Sequence, residues 1–280
     1  MIDCHSHLAG SDFDADRYAV RRRAKDAGVQ AVLVVGEDAE DNARVLRVIA
    51  EVLRVDNEHA IRQVPPAPRA PVGARLVPCL GFHPDRFADE LPLPTRTQVD
   101  EVISQIRAHA GELAAIGEVG LDYWYVKDPE RRRAQGAILE EMAALSQELG
   151  LPLNVHSRSA GHYTVDLLLA AGAERVLMHA FDGKASHALR VAEAGYLFSV
   201  PPSVVRSEQK QKLVRRLPLE SLALESDSPV LGPERDQRNE PANLTYARDF
   251  IAEAHGLSPE RVDEVTSANA RRLFLHLAAR

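Results

Sequence analysis

Short apolar runs alternate with longer amphipathic stretches from one end of the chain to the other, and this alternation most restricts the fold. The runs at 2–5 (IDCH), 31–36 (AVLVVG), 76–81 (LVPCLG), 114–118 (AAIGE), 152–156 (PLNVH), 175–179 (RVLMH), 196–200 (YLFSV) and 221–225 (SLALE) read as strands. Residues 31–35 are apolar throughout, as in a strand covered on both faces. Helical patterning fills 14–27, 39–54, 97–110, 130–149, 185–194, 207–216, 243–255 and 259–277. Gly150, two residues before Pro152, marks a helix stop that leads into a strand. Eight strands with intervening helices close most simply as an α/β fold, a single (β/α)8 TIM barrel over residues 1–280. A doubly wound open sheet has the same alternation, and counting alone does not separate the two.

One segment interrupts the rhythm. Residues 63–73, QVPPAPRAPVG, carry four prolines and fit neither regular helix nor regular strand. A proline-rich ligand for a partner domain is one reading. The reading adopted is an insertion in a helix-to-strand loop, which in a barrel lies away from the chemistry.

Two cysteines, Cys4 and Cys79, supply neither a disulfide framework nor a CxxC pair, which points to a reducing compartment. The opening MIDCHSHL lacks a basic stretch followed by an apolar one, and no apolar run approaches membrane-spanning length. The expectation is a cytoplasmic or nuclear protein with no membrane attachment and no obligate protein partner. A formal net charge of −7 argues against coating nucleic acid by bulk electrostatics. It leaves room for an enzyme in which cations and a local basic patch hold phosphates.

The ionisable residues fall at the strand ends. His5 and His7 end the first run, Glu118 the fourth, His156 the fifth and His179 the sixth, while Asp227 follows the eighth by two residues. Barrel enzymes build their sites at the C-terminal ends of strands, so all six converge on one mouth. Residues i and i+2 of a strand share a side, which lets both His5 and His7 reach one cation. Cys4, on the same strand, is expected to point outward into the helical layer as a core residue. Four histidines and two carboxylates suit zinc, manganese or iron, and hold two ions if Glu118 bridges them.

The blocks DCHSHL (3–8), GFHP (81–84), AIGEVGLD (115–122), NVHSR (154–158), HAFDG (179–183) and ESDSP (225–229) resemble, in order, the signature blocks of the TatD family. RNEP (238–241) and NARRLF (269–274) extend the resemblance to the C-terminus. HSRSAG, PPSVVRSEQKQKLV and LGPERDQRNEP are similar to one animal branch of that family in particular. Ser226 and Phe82 depart from the residues that relatives often carry. The resemblance implies a TIM barrel of the metal-dependent hydrolase type and two divalent ions per chain (zinc, manganese or magnesium). It also implies deoxyribonuclease activity, with 3′→5′ exonuclease action on single-stranded DNA. It assigns the metals to His5, His7, Glu118, His156, His179 and Asp227, and sets His83 facing the substrate phosphate.

The chemistry expected of such a site is hydrolysis by activated water, with Asp227 accepting its proton, Glu118 bridging the cations and His83 donating to the phosphate or leaving oxygen. Arg158, two residues past His156, is placed to clamp a phosphate oxygen, with Lys184 a weaker candidate. His162 reads as a solvated side chain. In the basic stretch 201–216, which carries Arg206, Lys210, Lys212, Arg215 and Arg216, only Arg206 is read as a substrate contact. Tyr123 and Trp124, followed by Tyr125, offer rings for base stacking or pack their own loop down. Two rivals share the scaffold: a hydrolase of another ester or amide, such as an aminoacyl-tRNA deacylase or small-molecule amidohydrolase, and a non-enzymatic metal-bound scaffold docking through 63–73. Glu118 stands where many binuclear amidohydrolases carry a lysine, which favours the TatD-type reading.

Overall fold

A computed structural model describes residues 1–62 and 72–277, with side chains for 1–58, 72–275 and 277. The proline-rich insertion expected at 63–73 lies outside the described residues except for its last two. The strands are β1 (Ile2–Ser6), β2 (Ala31–Val35), β3 (Arg75–Leu80), β4 (Ala115–Gly120), β5 (Leu153–His156), β6 (Val176–Met178), β7 (Leu197–Val200) and β8 (Leu222–Leu224). They form one sheet in sequence order, each pairing in parallel with the next. A doubly wound sheet would reverse direction at a switch point, and this order does not. The seam between first and last strands is drawn together just past β8, where Asp227 N donates to His5 O and His7 N to Ser228 O, both at 2.9 Å. Asp3 extends the seam by accepting from the backbone N and the hydroxyl of Ser226 at 2.8 and 2.6 Å. The result is a single (β/α)8 barrel.

The helices are α1 (Arg17–Asp26), α2 (Ala39–Arg62), α3 (Arg96–His109), α4 (Pro129–Leu149), α5 (Gly161–Ala170), α6 (Ala185–Ala192), α7 (Glu208–Val214), α8 (Leu244–His255) and α9 (Pro259–Leu273). α5 has no counterpart among the expected segments. The stretch expected at 14–27 holds α1, with a 3-10 turn at Ser11–Phe13 ahead of it, and the stretch expected at 259–277 resolves into α9 and a separate 3-10 turn, Leu275–Leu277. α3 starts at a capping box in which Thr95 and Gln98 satisfy each other's backbone amides. α4 ends at Gly150, whose φ of +64° is the left-handed turn expected there.

Strand alternation sorts the apolar side chains into two sets. Val32, Val34, Ile116, Val155 and Met178 face outward against the helices. Leu33, Val35, Val77, Cys79, Leu177 and Ala223 fill the barrel interior. Leu273, Phe274 and Leu277 join this inner set from the end of α9 and close the barrel floor. No helix among the described residues is long and apolar enough to cross a membrane.

Candidate metal centre

Parallel strands run toward one mouth, so their C-terminal ends gather there. β1 delivers His5 and, just past its end, His7; β4 delivers Glu118; β5 ends on His156; His179 and Asp227 follow β6 and β8. Gly81 allows β3 to approach β4 closely, since a Cβ there would lie 2.3 Å from the Glu118 carbonyl oxygen. The register of β1 slips between Asp3 and Ser6. That slip corrects the expectation for Cys4, which points not into the helical layer but into the barrel interior with Leu33 and Cys79. Strict alternation fails across a bulge, where one extra residue turns two neighbours toward the same side. Cys4 remains a core residue, and burial pushes its thiol well up.

Asn154 fixes the first imidazole. Its amide nitrogen donates to Cys4 O at 2.8 Å, which leaves its oxygen to accept from His5 Nδ1 at 2.9 Å. A neutral His5 therefore carries its proton on Nδ1, and the bare Nε2 faces Glu118 Oε2 at 3.2 Å. Both atoms are buried and without a hydrogen bond. Two lone pairs facing each other in a dry interior repel, and a cation among them turns that contact attractive.

The same logic repeats around Glu118. His7 Nδ1 lies 3.3 Å from Glu37 Oε1, His156 Nε2 3.1 Å from Asp122 Oδ2, and His179 Nδ1 3.3 Å from Glu225 Oε2. In each case the outer nitrogen meets a carboxylate and the inner one faces Glu118. His7 Nε2 is 3.4 Å from Oε2, whereas His156 Nδ1 and His179 Nε2 are 2.7 and 3.0 Å from Oε1. An outer acceptor on each imidazole is the arrangement that orients histidines on a metal. Asp227 Oδ1 joins the Oε2 side, 3.7 Å from His5 Nε2 and 3.6 Å from His7 Nε2. It is carried there by a backbone turned to φ +50°.

The electrostatics ask for positive charge at this spot. Burial disfavours ionised Glu118, yet the imidazoles of His83, His5 and His179 hold its carboxyl well below the usual range. Burial likewise opposes charge on His179, but Glu118 and Glu225 lift its imidazole to about 10. Protons on the histidines or divalent cations among them satisfy the same demand. The donors of His5, His7 and Glu118 lie within 4.8 Å of one another, as do those of His83, Glu118 and His156, and those of His5, His179 and Glu225. All are nitrogen and oxygen ligands, which fit zinc or manganese.

A cavity of about 430 Å³ opens beside the cluster, lined by His7, His83, Glu118, His156, His179 and Asp227 and also by Arg158 and Lys210. His83 lines this cavity with its Nε2 3.2 Å from Glu118 Oε1, and its Nδ1 pairs with Asp85 at 2.7 Å. Arg158 is exposed at the rim, its guanidinium 5.1 and 4.9 Å from the Trp124 and Tyr125 ring centres. Tyr123 is turned from that pair toward Arg132, 4.2 Å from its ring centre, and toward Tyr163. Arg206 and Lys184 do not line the cavity. Arg206 is exposed and donates to Gly232 O at 3.1 Å, and Lys184 is exposed at the start of α6. Lys210 takes the place expected of Arg206, because α7 turns that side chain inward. The orienting residues Glu37, Asp122, Asn154 and Glu225 and the cavity cation Lys210 were not foreseen. The period of two offered a signal for two of them, since Asn154 precedes His156, and Glu225 precedes Asp227, by two residues.

Barrel and cluster together define a metal-dependent hydrolase. Residues 2–275 match the family described as TatD related DNase. A putative deoxyribonuclease, TATDN3, of Mus musculus is 44% identical over 98% of this chain and 88% of its own. Deoxyribonuclease TATDN3 of Homo sapiens is 40% identical over 98% and 94%. The crystal structure of YJJV, a TatD homologue from Escherichia coli, superposes with a TM-score of 0.81 at 25% identity, covering 98% of this chain and 97% of that one. The chain belongs to the TatD family.

Proposed function

We propose that the chain is a deoxyribonuclease that hydrolyses phosphodiester bonds in single-stranded DNA, as a 3′→5′ exonuclease, with two divalent ions (zinc, manganese or magnesium). The observation that carries this reading is the division of Glu118, whose two oxygens each face their own group of imidazole nitrogens. In it His5, His7 and Asp227 on the Oε2 side of Glu118, and His156 and His179 on its Oε1 side, would hold the divalent ions together with Glu118 itself. Bound there, divalent ions supply charge to the phosphoryl oxygens and make water acidic near neutral pH. Asp227, at the cavity wall, orients the attacking water and takes its proton. The water oxygen bonds to phosphorus as the bond to the leaving oxygen breaks. His83 supplies a proton to that oxygen: burial opposes its charge, but Glu118 and Asp85 hold its imidazole well above the ordinary histidine value. Arg158 clamps a phosphate oxygen, and the exposed ring of Trp124 stacks on a base, which favours single strands. Tyr123 is assigned the weaker contact of bracing that loop through Arg132.

The test follows a 5′-labelled single-stranded oligonucleotide with metal-stripped protein, restoring magnesium, manganese or zinc. The expected result is a metal-dependent ladder shortening from the 3′ end. Asp227→Asn is expected to lower kcat/KM by roughly a thousandfold and His83→Ala by about a hundredfold, within the range for a proton-transfer group. Absence of cleavage with every metal, from protein holding its ions, would reassign the site to another ester or amide.

A further inference from the structure

We propose that Lys210 is a phosphate-anchoring cation of the cavity beside the metal centre. The ligand class rests on the phosphodiester reading above, while the placement rests on the structure of α7. That helix lies on the loop that follows β6. Gln209 Nε2 donates to Phe181 O at 3.2 Å and to Gly183 O at 2.9 Å, and Lys210 Nζ donates to Ala180 O at 3.1 Å. These bonds bring the ammonium to the wall that His179 and Asp227 also line. Lys212, two residues on, is exposed and pairs with Glu208 at 3.5 Å.

An ammonium carries three protons for donation, and a single carbonyl is recorded for that of Lys210. Among the described residues it makes no ion pair. Burial holds its ammonium below the ordinary lysine range, and the carboxylates of Glu225, Asp182 and Asp227 favour its charge without pairing with it. A half-buried cation with unused donors, facing an open cavity, is offset best by an anion with several acceptor oxygens. A phosphate meets that need, and a lysine binds it as a point charge without fixing its orientation. Arg158 lies at the exposed rim beside the Trp124 and Tyr125 rings, where it meets the phosphate from outside, and Arg206 donates to Gly232 O away from the cavity lining. The inner cation is therefore Lys210. A contact made equally in the ground state and the transition state appears in KM and not in kcat.

The experiment uses the full chain loaded with manganese and inorganic phosphate as the calorimetric probe. Lys210→Met, which keeps the length of the stem, is expected to weaken phosphate binding roughly ten- to hundredfold, with Lys210→Arg recovering most of the loss. Gln209→Ala loosens α7 without removing charge and is expected to leave phosphate affinity near wild type. With a single-stranded oligonucleotide, Lys210→Met raises KM, leaves kcat within about threefold, and lowers the slope of log KM against log salt by about one. Wild-type phosphate affinity in Lys210→Met, or equal weakening in Gln209→Ala, overturns the proposal and makes Lys210 a clamp for α7. Failure of the wild type to bind phosphate overturns it as well. A wild type that binds phosphate but never cleaves DNA overturns the nuclease reading alone, and calorimetry still decides Lys210.

Discussion

A histidine binds a cation only through the nitrogen that carries no proton, so whatever holds its outer nitrogen sets its usefulness. For His5 that partner is Asn154, whose own orientation is locked by the Cys4 carbonyl. Glu37, Asp122 and Glu225 serve His7, His156 and His179, and Glu225 is in turn held by Ser199 Oγ at 2.6 Å. Replacing Asn154 with leucine keeps the volume but removes the acceptor, leaving His5 Nδ1 without a partner. Zinc affinity, measured by competition with a chromogenic chelator, is expected to fall roughly ten- to hundredfold. Unchanged affinity would mean that His5 needs no orienting partner, and the tautomer argument would fail with it.

Elements position these residues through their ends and irregularities. The slip in β1 is what puts both Cys4 and His5 on the inner side, a result that a simple period of two does not give. α5 escaped notice because its conventional start signals are missing: Ala160 makes no side-chain cap, and the helix opens on a glycine. Gly161 is needed there for a different reason, since a Cβ would lie 2.5 Å from the Asp182 carbonyl oxygen. α4 is the opposite case. Asp128 accepts from the backbone of Glu130 and Arg131 ahead of Pro129, and the helix follows the aromatic loop at the mouth. Asp128→Ala is expected to cost about 1 kcal/mol and to lower the melting temperature by roughly 2–4 °C in a thermal scan. A melting temperature equal to wild type would show that tertiary packing alone holds that terminus.

The whole molecule separates stability from chemistry along the barrel axis. Phe274, fully buried, packs with Ile2, Cys4 and Cys79 at the floor, while the candidate site occupies the mouth. Phe274→Ala is expected to destabilise the fold by about 3–5 kcal/mol in urea titration, with zinc affinity per folded molecule unchanged. A loss of affinity in protein shown to be folded would mean that floor and mouth are coupled. The sequence by itself determined the eight strands and the residues at the strand ends, because apolar period and position along a strand are local properties of the chain, whereas closure into a barrel was decided by the order in which the strands pair. It also marked Gly150 as a helix stop, a backbone requirement written in one residue. Only the tertiary structure decided which imidazole nitrogen faces Glu118, which way Cys4 points, and that Lys210 reaches the cavity while Arg206 does not. Those outcomes depend on contacts between residues far apart in the chain, such as His5 with Asn154 and Lys210 with Ala180, which no local pattern encodes.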